Sequence, residues 1–448
     1  MCSIPTGWRW AKLGDICCKP QYGWTSKASK TGSLKYLRTS DISSGKINWE
    51  TVPYCQEIPS EPGKYEIQKN DILVSRAGSV GISCRIESVP SDVVFASYLI
   101  RFQTLEGVEP RFIEYYLKSD RYWRAISDCT AGIAIPNVNA SKLSSLEIPV
   151  PPLDEQRRIV AKLEKLLARV EACQERLNKI PSLLKRFRQS VLAAACSGRL
   201  TADWRDAHIG YKPDKEEAVV ANGLPDLPET WYWSKLPDTG VMSRGKSRHR
   251  PRNAPFLFGG SYPFIQTGDI AQSGGRIIRH KQTYSEDGLA QSHLWPAKTV
   301  CITIAANIAE SALLTYPACF PDSVVGIIAD RSKCLPEYLE FFIRTAKSDL
   351  STFAPATAQK NINIKILSDV LVPLPPFSEQ QEIVRRVEAL FKIADQIDER
   401  YKKAKTYIDK LTQSILAKAF RGEFINETDI HCEQSTLSQG DLCKQSSR

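Results

Sequence analysis

The sequence predicts an α+β fold: two α/β domains separated by two long helices that pair as an antiparallel coiled coil, the whole forming a pseudo-two-fold internal repeat. Three observations carry this. The chain is written twice, the repeated stretch holds a heptad seam, and the joint between the copies is long enough to turn the chain back. IPVPPLDEQRRIVAKLEKLL (148–167) recurs as VPLPPFSEQQEIVRRVEALF (372–391). The match runs without a gap from there to SVLAAACSGRL (190–200) and its counterpart SILAKAFRGEF (414–424). Internal similarity of this kind decides architecture before any residue-level reading.

The helices come first because their signal is the most regular. Ile159, Leu163, Leu166, Val170, Cys173, Leu177, Ile180, Leu184, Phe187 and Val191 alternate spacings of four and three, the a/d pattern of a coiled-coil seam. Ile383, Val387, Leu390, Ala394, Ile397, Tyr401, Ala404, Ile408, Leu411 and Ile415 keep the same rhythm. Pro151–Pro152 and Pro375–Pro376 bar backward extension, Asp154 and Ser378 are the expected N-caps, and Gly198 and Gly422 stand where a C-terminal cap belongs. Pro181 is expected to kink the first helix. A seam of this kind also suits packing on the adjacent globular domain; two equal seams on one chain favour mutual pairing. A helix of roughly 40 residues is ~60 Å long, about one and a half turns of duplex at ~3.4 Å per base pair.

The stretches before each helix match more loosely. GWRWAKL (7–13) mirrors TWYWSKL (230–236), YLRTSDI (36–42) mirrors FIQTGDI (264–270), DILVSRAGSVG (71–81) parallels TVCITIAANIA (299–309), and FIEYYL (112–117) parallels YLEFFI (338–343). Short apolar runs such as VVFASYLIRF and SVVGIIA read as strands, and 111–126 and 337–350 as short helices. Helical parts that agree better than the heads they follow fit shared mechanics with different specificities.

At 448 residues, with 42% hydrophobic and 25% charged content, the chain suits several globular domains. No apolar run reaches the ~20 residues of a membrane span, and the first residues lack a signal-peptide pattern, so a cytoplasmic protein is expected. The thirteen cysteines are scattered without a C-x-x-C pair and the five histidines are dispersed, so no metal is expected. A net charge of +10 suits a polyanionic partner.

The basic and aromatic residues gather in loops of the heads. Gln21, Tyr22, Trp24, Lys27, Lys30, Lys35 and Arg38 are candidates for DNA contact in the first; Arg244, Lys246, Arg248, His249, Arg250, Arg252 and Gln266 are candidates in the second. Arg and Lys neutralise phosphates, and Arg and Gln pair with base edges. A solvated basic loop is the alternative at each place. The repeated Thr39–Asp41 and Thr267–Asp269 read equally well as turns capped by their own side chains.

Catalytic signals fail one by one. GVMSRGKS (240–247) has the letters of a phosphate-binding loop, but Pro251 and Pro255 follow too soon for the helix that motif requires. VPPL (150–153) and LPPF (374–377) approach an amino-methyltransferase motif, yet Val150 and Leu374 have no polar atom to hold an amine. Asp214–Lys215–Glu216–Glu217 sits in a polar linker rather than on a rigid scaffold.

PPLDEQRRIV (151–160), SVLAAACSGRLT (190–201), LPETWYWSKL (227–236), PPFSEQQEIV (375–384) and AFRGEF (419–424) together resemble the specificity subunits of type I restriction–modification systems. The resemblance covers nearly the whole chain, and P-P-x-x-E-Q opening a long helix twice is its most specific part. It implies target-recognition domains at 1–150 and 227–374, a central spacer helix at 151–200, a linker at 201–226, a distal spacer helix at 375–425, and a disordered polar tail at 426–448. It further implies a non-catalytic, DNA-binding subunit of a host-defence and DNA-methylation system that reads a bipartite asymmetric site in double-stranded DNA. Two methyltransferase subunits, and restriction/translocase subunits through them, are the implied partners. S-adenosylmethionine, ATP and Mg2+ belong on those partners, with no cofactor on this chain. Glu155, Gln156, Ile159, Leu163, Leu166, Glu379, Gln380, Ile383, Val387 and Leu390 fall in the implied spacer and docking element. The competing readings are a fused methyltransferase–nuclease and a coiled-coil scaffold that does not bind DNA.

Overall fold

The computed structural model describes residues 4–131, 136–208, 225–305, 308–347 and 363–424. It divides into two compact units, Met1–Asn178 with Lys402–Arg448, and Lys179–Tyr401. The division cuts across both long helices. The expected tail at 426–448 lies outside the described residues, as do Asp214–Glu217. The linker expected at 201–226 is helical where it starts, with a 3-10 turn at Arg199–Thr201 and a helix at Ala202–Ala207.

In the first unit the head is built from strands β1 (Arg9–Lys12), β2 (Gln21–Tyr22), β3 (Ala28–Ser29), β4 (Lys35–Leu37), β5 (Tyr54–Cys55), β6 (Ile72–Ser75), β7 (Ser83–Arg85), β8 (Val93–Phe95), β9 (Leu99–Phe102) and β10 (Glu147–Val150). Helices α1 (Thr39–Ile42), α2 (Pro62–Tyr65), α3 (Pro110–Tyr116), α4 (Asp120–Thr130) and α5 (Ala140–Ser144) intervene. One sheet runs β2-β9-β6-β7 and a second β3-β5-β4-β8. The central strands β6 and β9 are buried along their whole length, which is why their β-branched and aromatic runs carry the head's core. The helix expected over 111–126 is two helices, because Ser119 starts a new one, its Oγ accepting from Tyr122 N–H at 3.4 Å. β1 pairs antiparallel with β10, Arg9 opposite Val150, and α6 (Leu153–Cys196) follows two residues later.

The second unit repeats the plan with β11 (Tyr232–Lys235), β12 (Gly240–Arg244), β13 (Phe258–Phe264), β14 (Arg276–Ile277), β15 (Gln282–Tyr284), β16 (Val300–Thr303), β17 (Ser311–Leu314), β18 (Val324–Ala329) and β19 (Leu371–Leu374). Its helices are α7 (Ala202–Ala207), α8 (Thr267–Gln272), α9 (Glu286–Ala290), α10 (Pro336–Thr345), α11 (Ile364–Ser368) and α12 (Phe377–Phe420). The main sheet runs β12-β18-β16-β17-β14. β11 pairs with β19 in the same antiparallel way, Tyr232 opposite Leu374.

Within each unit the start of one repeat's helix lies antiparallel to the end of the other's. In the first, Ile159 and Leu163 share a core with Ile415, Ala419 and Phe420, and Lys162 Nζ donates to the Phe424 carbonyl at 2.8 Å. Phe420 also meets the rings of Phe112 and Tyr116 edge-on, each at 5.2 Å. In the second, Ile383 and Val387 share a core with Val191, Leu192 and Ala195, and Arg188 pairs with Asp395 at 2.6 Å. Pairing and packing on the head are therefore both present. Leu166 and Leu390 are half-buried, whereas Cys173, Phe187 and Ile397 on the expected seam are exposed.

One expectation about the helix starts changes. Asp154 and Ser378 lie inside the first turn, because the carbonyls of Pro152 and Pro376 already accept the first helical bonds, from Gln156 N–H at 3.0 Å and Gln380 N–H at 2.9 Å. The prolines thus hold the cap positions. Pro181 does not end the helix, which runs on to Cys196; its ring is exposed, so the Leu177 carbonyl that loses a helical donor lies beside solvent. Gly198 and Gly422 do adopt positive φ, 75° and 77°. A side chain at either would run into the ring of Pro228 or Pro5. No described helix is long and apolar enough to cross a membrane.

Candidate nucleic-acid interface and the helix-start clasp

The repeated Trp and the repeated Glu-Gln pair come together as a clasp at each helix start. Trp8 Nε1 donates to Glu155 Oε1 at 2.8 Å across 147 residues, and Trp231 Nε1 donates to Glu379 Oε2 at 2.9 Å across 148. The β1–β10 and β11–β19 pairings put each Trp there. Gln156 Oε1 accepts from the Glu109 N–H at 2.9 Å and its Nε2 donates to the Pro151 carbonyl at 2.9 Å. Gln380 does the same with the Leu335 N–H at 2.8 Å and the Pro375 carbonyl at 3.0 Å. The Gln residues thus receive the N–H at the start of α3 and α10. Ahead of a proline at N1, that N–H has no partner inside its own helix.

The two clasps differ in charge. Glu379 is fully buried and also receives Thr201 Oγ1 at 2.7 Å and the guanidinium of Arg205. Gln156, Glu379 and Gln380 are buried and Glu155 is half-buried, so all four work inside their own unit. A partner docking on the helix start would meet their neighbours. Ile159, Leu163, Ile383 and Val387 are likewise core residues. The sequence held the signal for this clasp, since Trp8 and Trp231 repeat along with Glu155 and Glu379, but not their contact.

The DNA-contact candidates divide into those bonded within the head and those left exposed. In the first head, Gln21 accepts from Arg101 at 2.5 Å and donates to the Lys64 carbonyl at 2.6 Å. Trp24 donates to the Glu57 carbonyl at 2.7 Å, Lys35 to that of Trp49 at 2.7 Å, and Arg38 pairs with Asp41 at 2.9 Å. These four stabilise the head itself. Tyr22 is partly exposed, with the Arg76 guanidinium 5.0 Å from its ring centre, and Lys27 and Lys30 are exposed. Arg76, which sequence reasoning missed, carries no sequence signal beyond lying in the matched 71–81 segment.

In the second head the loop after β12 is pinned by its backbone. Gln291 Oε1 accepts from the N–H groups of Arg248 and His249, at 2.5 and 3.0 Å, and Ser292 Oγ donates to the Lys246 carbonyl at 2.8 Å. Arg250 folds back on the Ser247 carbonyl at 2.7 Å, Arg252 pairs with Asp322 at 2.8 Å, Gln266 donates to Gln282 at 2.7 Å, and His249 meets the Phe256 ring edge-on at 5.0 Å. Arg244, Lys246 and Arg248 are exposed and form no ion pair among the described residues. Glycine-rich letters notwithstanding, β12 leads into this loop and not into a helix. The Asp41 and Asp269 turns bond back as expected, accepting from the N–H of Arg38 at 2.9 Å and Gln266 at 3.0 Å.

The model of one protein family, the type I restriction modification DNA specificity domain, matches residues 5–182 and again 228–405. The chain belongs to this family. It is 30% identical to the StySPI specificity subunit of Salmonella potsdam, over 94% of this chain and 90% of that one. It is also 30% identical to the EcoKI specificity subunit of Escherichia coli K12, with the same two coverages. The EcoBI specificity subunit of Escherichia coli is 32% identical over 92% of this chain and 86% of its own. Among solved structures, one reported for complex assembly and conformational transition of the type I R-M system matches with a TM-score of 0.69 at 21% identity, covering 94% of this chain and all of that one. The HsdS subunit from Thermoanaerobacter tengcongensis matches with a TM-score of 0.61 at 21% identity, covering 94% and 98%. These two likenesses bear on the fold.

Proposed function

We propose that this chain is the non-catalytic DNA-reading subunit of a cytoplasmic type I restriction–modification assembly. Each head selects half of a bipartite, asymmetric site in double-stranded DNA. The paired helices set the gap and carry the contacts to two methyltransferase subunits, and through them to restriction subunits. S-adenosylmethionine, ATP and Mg2+ act on those partners. The observation that carries this reading is the doubled design: the same clasp, cap and core recur at both helix starts, while the outward side chains of the heads differ. Constant mechanics with variable outward chemistry is what two readers of unlike half-sites require.

A mobility-shift series on duplex DNA, with and without methyltransferase subunits from the same source, tests it. The expected result is sequence-selective binding strengthened by the partner, and adenine methylation only when the partner is present. Methylation by this chain alone supports the fused-enzyme alternative; no salt-sensitive binding under either condition supports the scaffold.

A further inference from the structure

The two heads can be superposed by strand register alone. Tyr22 and Val74 both lie opposite Ile100 in the first head; Arg244 and Ile302 both lie opposite Val325 in the second. One step further, Gly23 N–H donates to the Leu99 carbonyl at 3.3 Å and Gly245 N–H to that of Val324 at 2.9 Å. A side chain on either glycine would strike the carbonyls of Phe95 and Ala96, or of Phe320 and Pro321. At the same level the Arg76 N–H donates to the Tyr98 carbonyl, and the Ile304 N–H to that of Ser323, both at 2.9 Å. Tyr22 with Arg244, Arg76 with Ile304, and Tyr98 with Ser323 are therefore equivalent positions at one end of each main sheet.

The backbone there is the same and the chemistry is not. In the first head Arg76 lies over the Tyr22 ring, Tyr98 is 60% exposed beside it, and the Arg76 Nε is buried with no acceptor among the described residues. The other arginines of that sheet are neutralised, Arg85 by Glu87 and Glu114, and Arg101 by Asp71. In the second head Ile304 is buried at the position of Arg76, and the exposed guanidinium belongs to Arg244 at the position of Tyr22. The nearest carboxylate in sequence to Ser323, Asp322, is occupied by Arg252. Among the described residues, each head thus holds one guanidinium without a carboxylate at this corner, on different strands.

We propose that this sheet-end corner is where each head reads its half-site, with Arg76 and Arg244 each pairing with the two acceptors on the major-groove edge of a guanine. A planar fork suits that edge, whereas a lysine supplies one point charge. Placing the fork on opposite sides of the same central strand, β9 in one head and β18 in the other, lets one scaffold read two unlike half-sites. Lys27, Lys30, Lys246 and Arg248 then supply phosphate contacts that fix register without choosing bases.

This inference rests on the chain being a DNA reader, and the test separates the two. The full-length chain, with its methyltransferase subunits, is used to select from a duplex pool with two randomised blocks at varied spacing. The wild type is expected to enrich a bipartite motif; if it enriches none, the DNA-reading function fails and this inference with it. Given a motif, Arg244→Ala is expected to erase one base preference in one half-site, with roughly a tenfold to hundredfold weaker binding to the original site. Arg76→Ala is expected to do so in the other half-site. Arg76→Lys keeps the charge and guards against loss of folding; it is expected to lose the base preference while keeping salt-dependent affinity. Unchanged motifs in Arg244→Ala and Arg76→Lys, or a uniform loss of affinity with every base preference intact, would overturn the inference.

Discussion

Glu340 is 2% exposed, and its carboxylate receives Arg344 Nη2 at 2.8 Å and Ser311 Oγ at 3.1 Å. Burial pushes this carboxyl up from its ordinary 4.5 to about 7, with Arg344 opposing the rise. The folded form therefore keeps a proton that the unfolded chain releases. This contribution to stability is complete below pH 4.5 and fades as pH climbs towards 7. Urea titrations of wild type and Glu340→Gln should diverge between pH 5 and pH 8, the wild type losing ground as pH rises. Arg344→Ala should cost about 3 kcal/mol at pH 8, where it leaves a buried charge uncompensated, and less at pH 5. Equal losses at both pH values would show that Arg344 acts only by packing.

Among the elements, the long helices are held at their starts by unequal clasps. Glu379 satisfies Trp231, Thr201 and Arg205 together, whereas the hydrogen bond from Trp8 is the one found for Glu155 among the described residues. Glu379→Ala should therefore cost about 3 kcal/mol, since it strands the half-buried Arg205. Glu155→Ala should cost only about 1 to 2 kcal/mol. Thermal melts of the two variants check the order, and a larger effect at Glu155 would contradict it. The helices themselves were legible in the sequence because the heptad rhythm, the prolines before them and the glycines after them are local signals. Their exact starts were not: Asp154 and Ser378 have the right chemistry for caps, but the preceding prolines already present the accepting carbonyls. Pro181 lies at a solvent-exposed turn where one hydrogen bond is lost, and the helix continues past it through buried Leu184 to Cys196.

For the whole molecule, a net charge of +10 and outward cations on both heads make association with DNA an electrolyte-sensitive process. The logarithm of affinity should fall with the logarithm of salt with a slope of about −0.9 per phosphate engaged. Lys27→Ala and Lys246→Ala should each make it shallower by about one contact without changing the selected sequence. Exchanging residues 227–370 for those of another family member should alter one half-site and leave the other; a change in both would mean that the heads do not read independently.

The doubled plan, the seam, the order of heads and helices, and the family were all determined by the amino-acid sequence alone, since periodicity and turn chemistry act over a few residues and repeat visibly. Tertiary structure alone decided which polar side chains face outward. Gln21, Lys35 and Arg38 are candidates for DNA contact by composition, and the fold also gives each a bond within its own head; Arg76, with no sequence signal of its own, lies on Tyr22 with no acid to neutralise it among the described residues. The partner of a buried polar group is chosen by whatever the fold brings within 3 Å, often from over a hundred residues away, and local sequence contains no record of that choice.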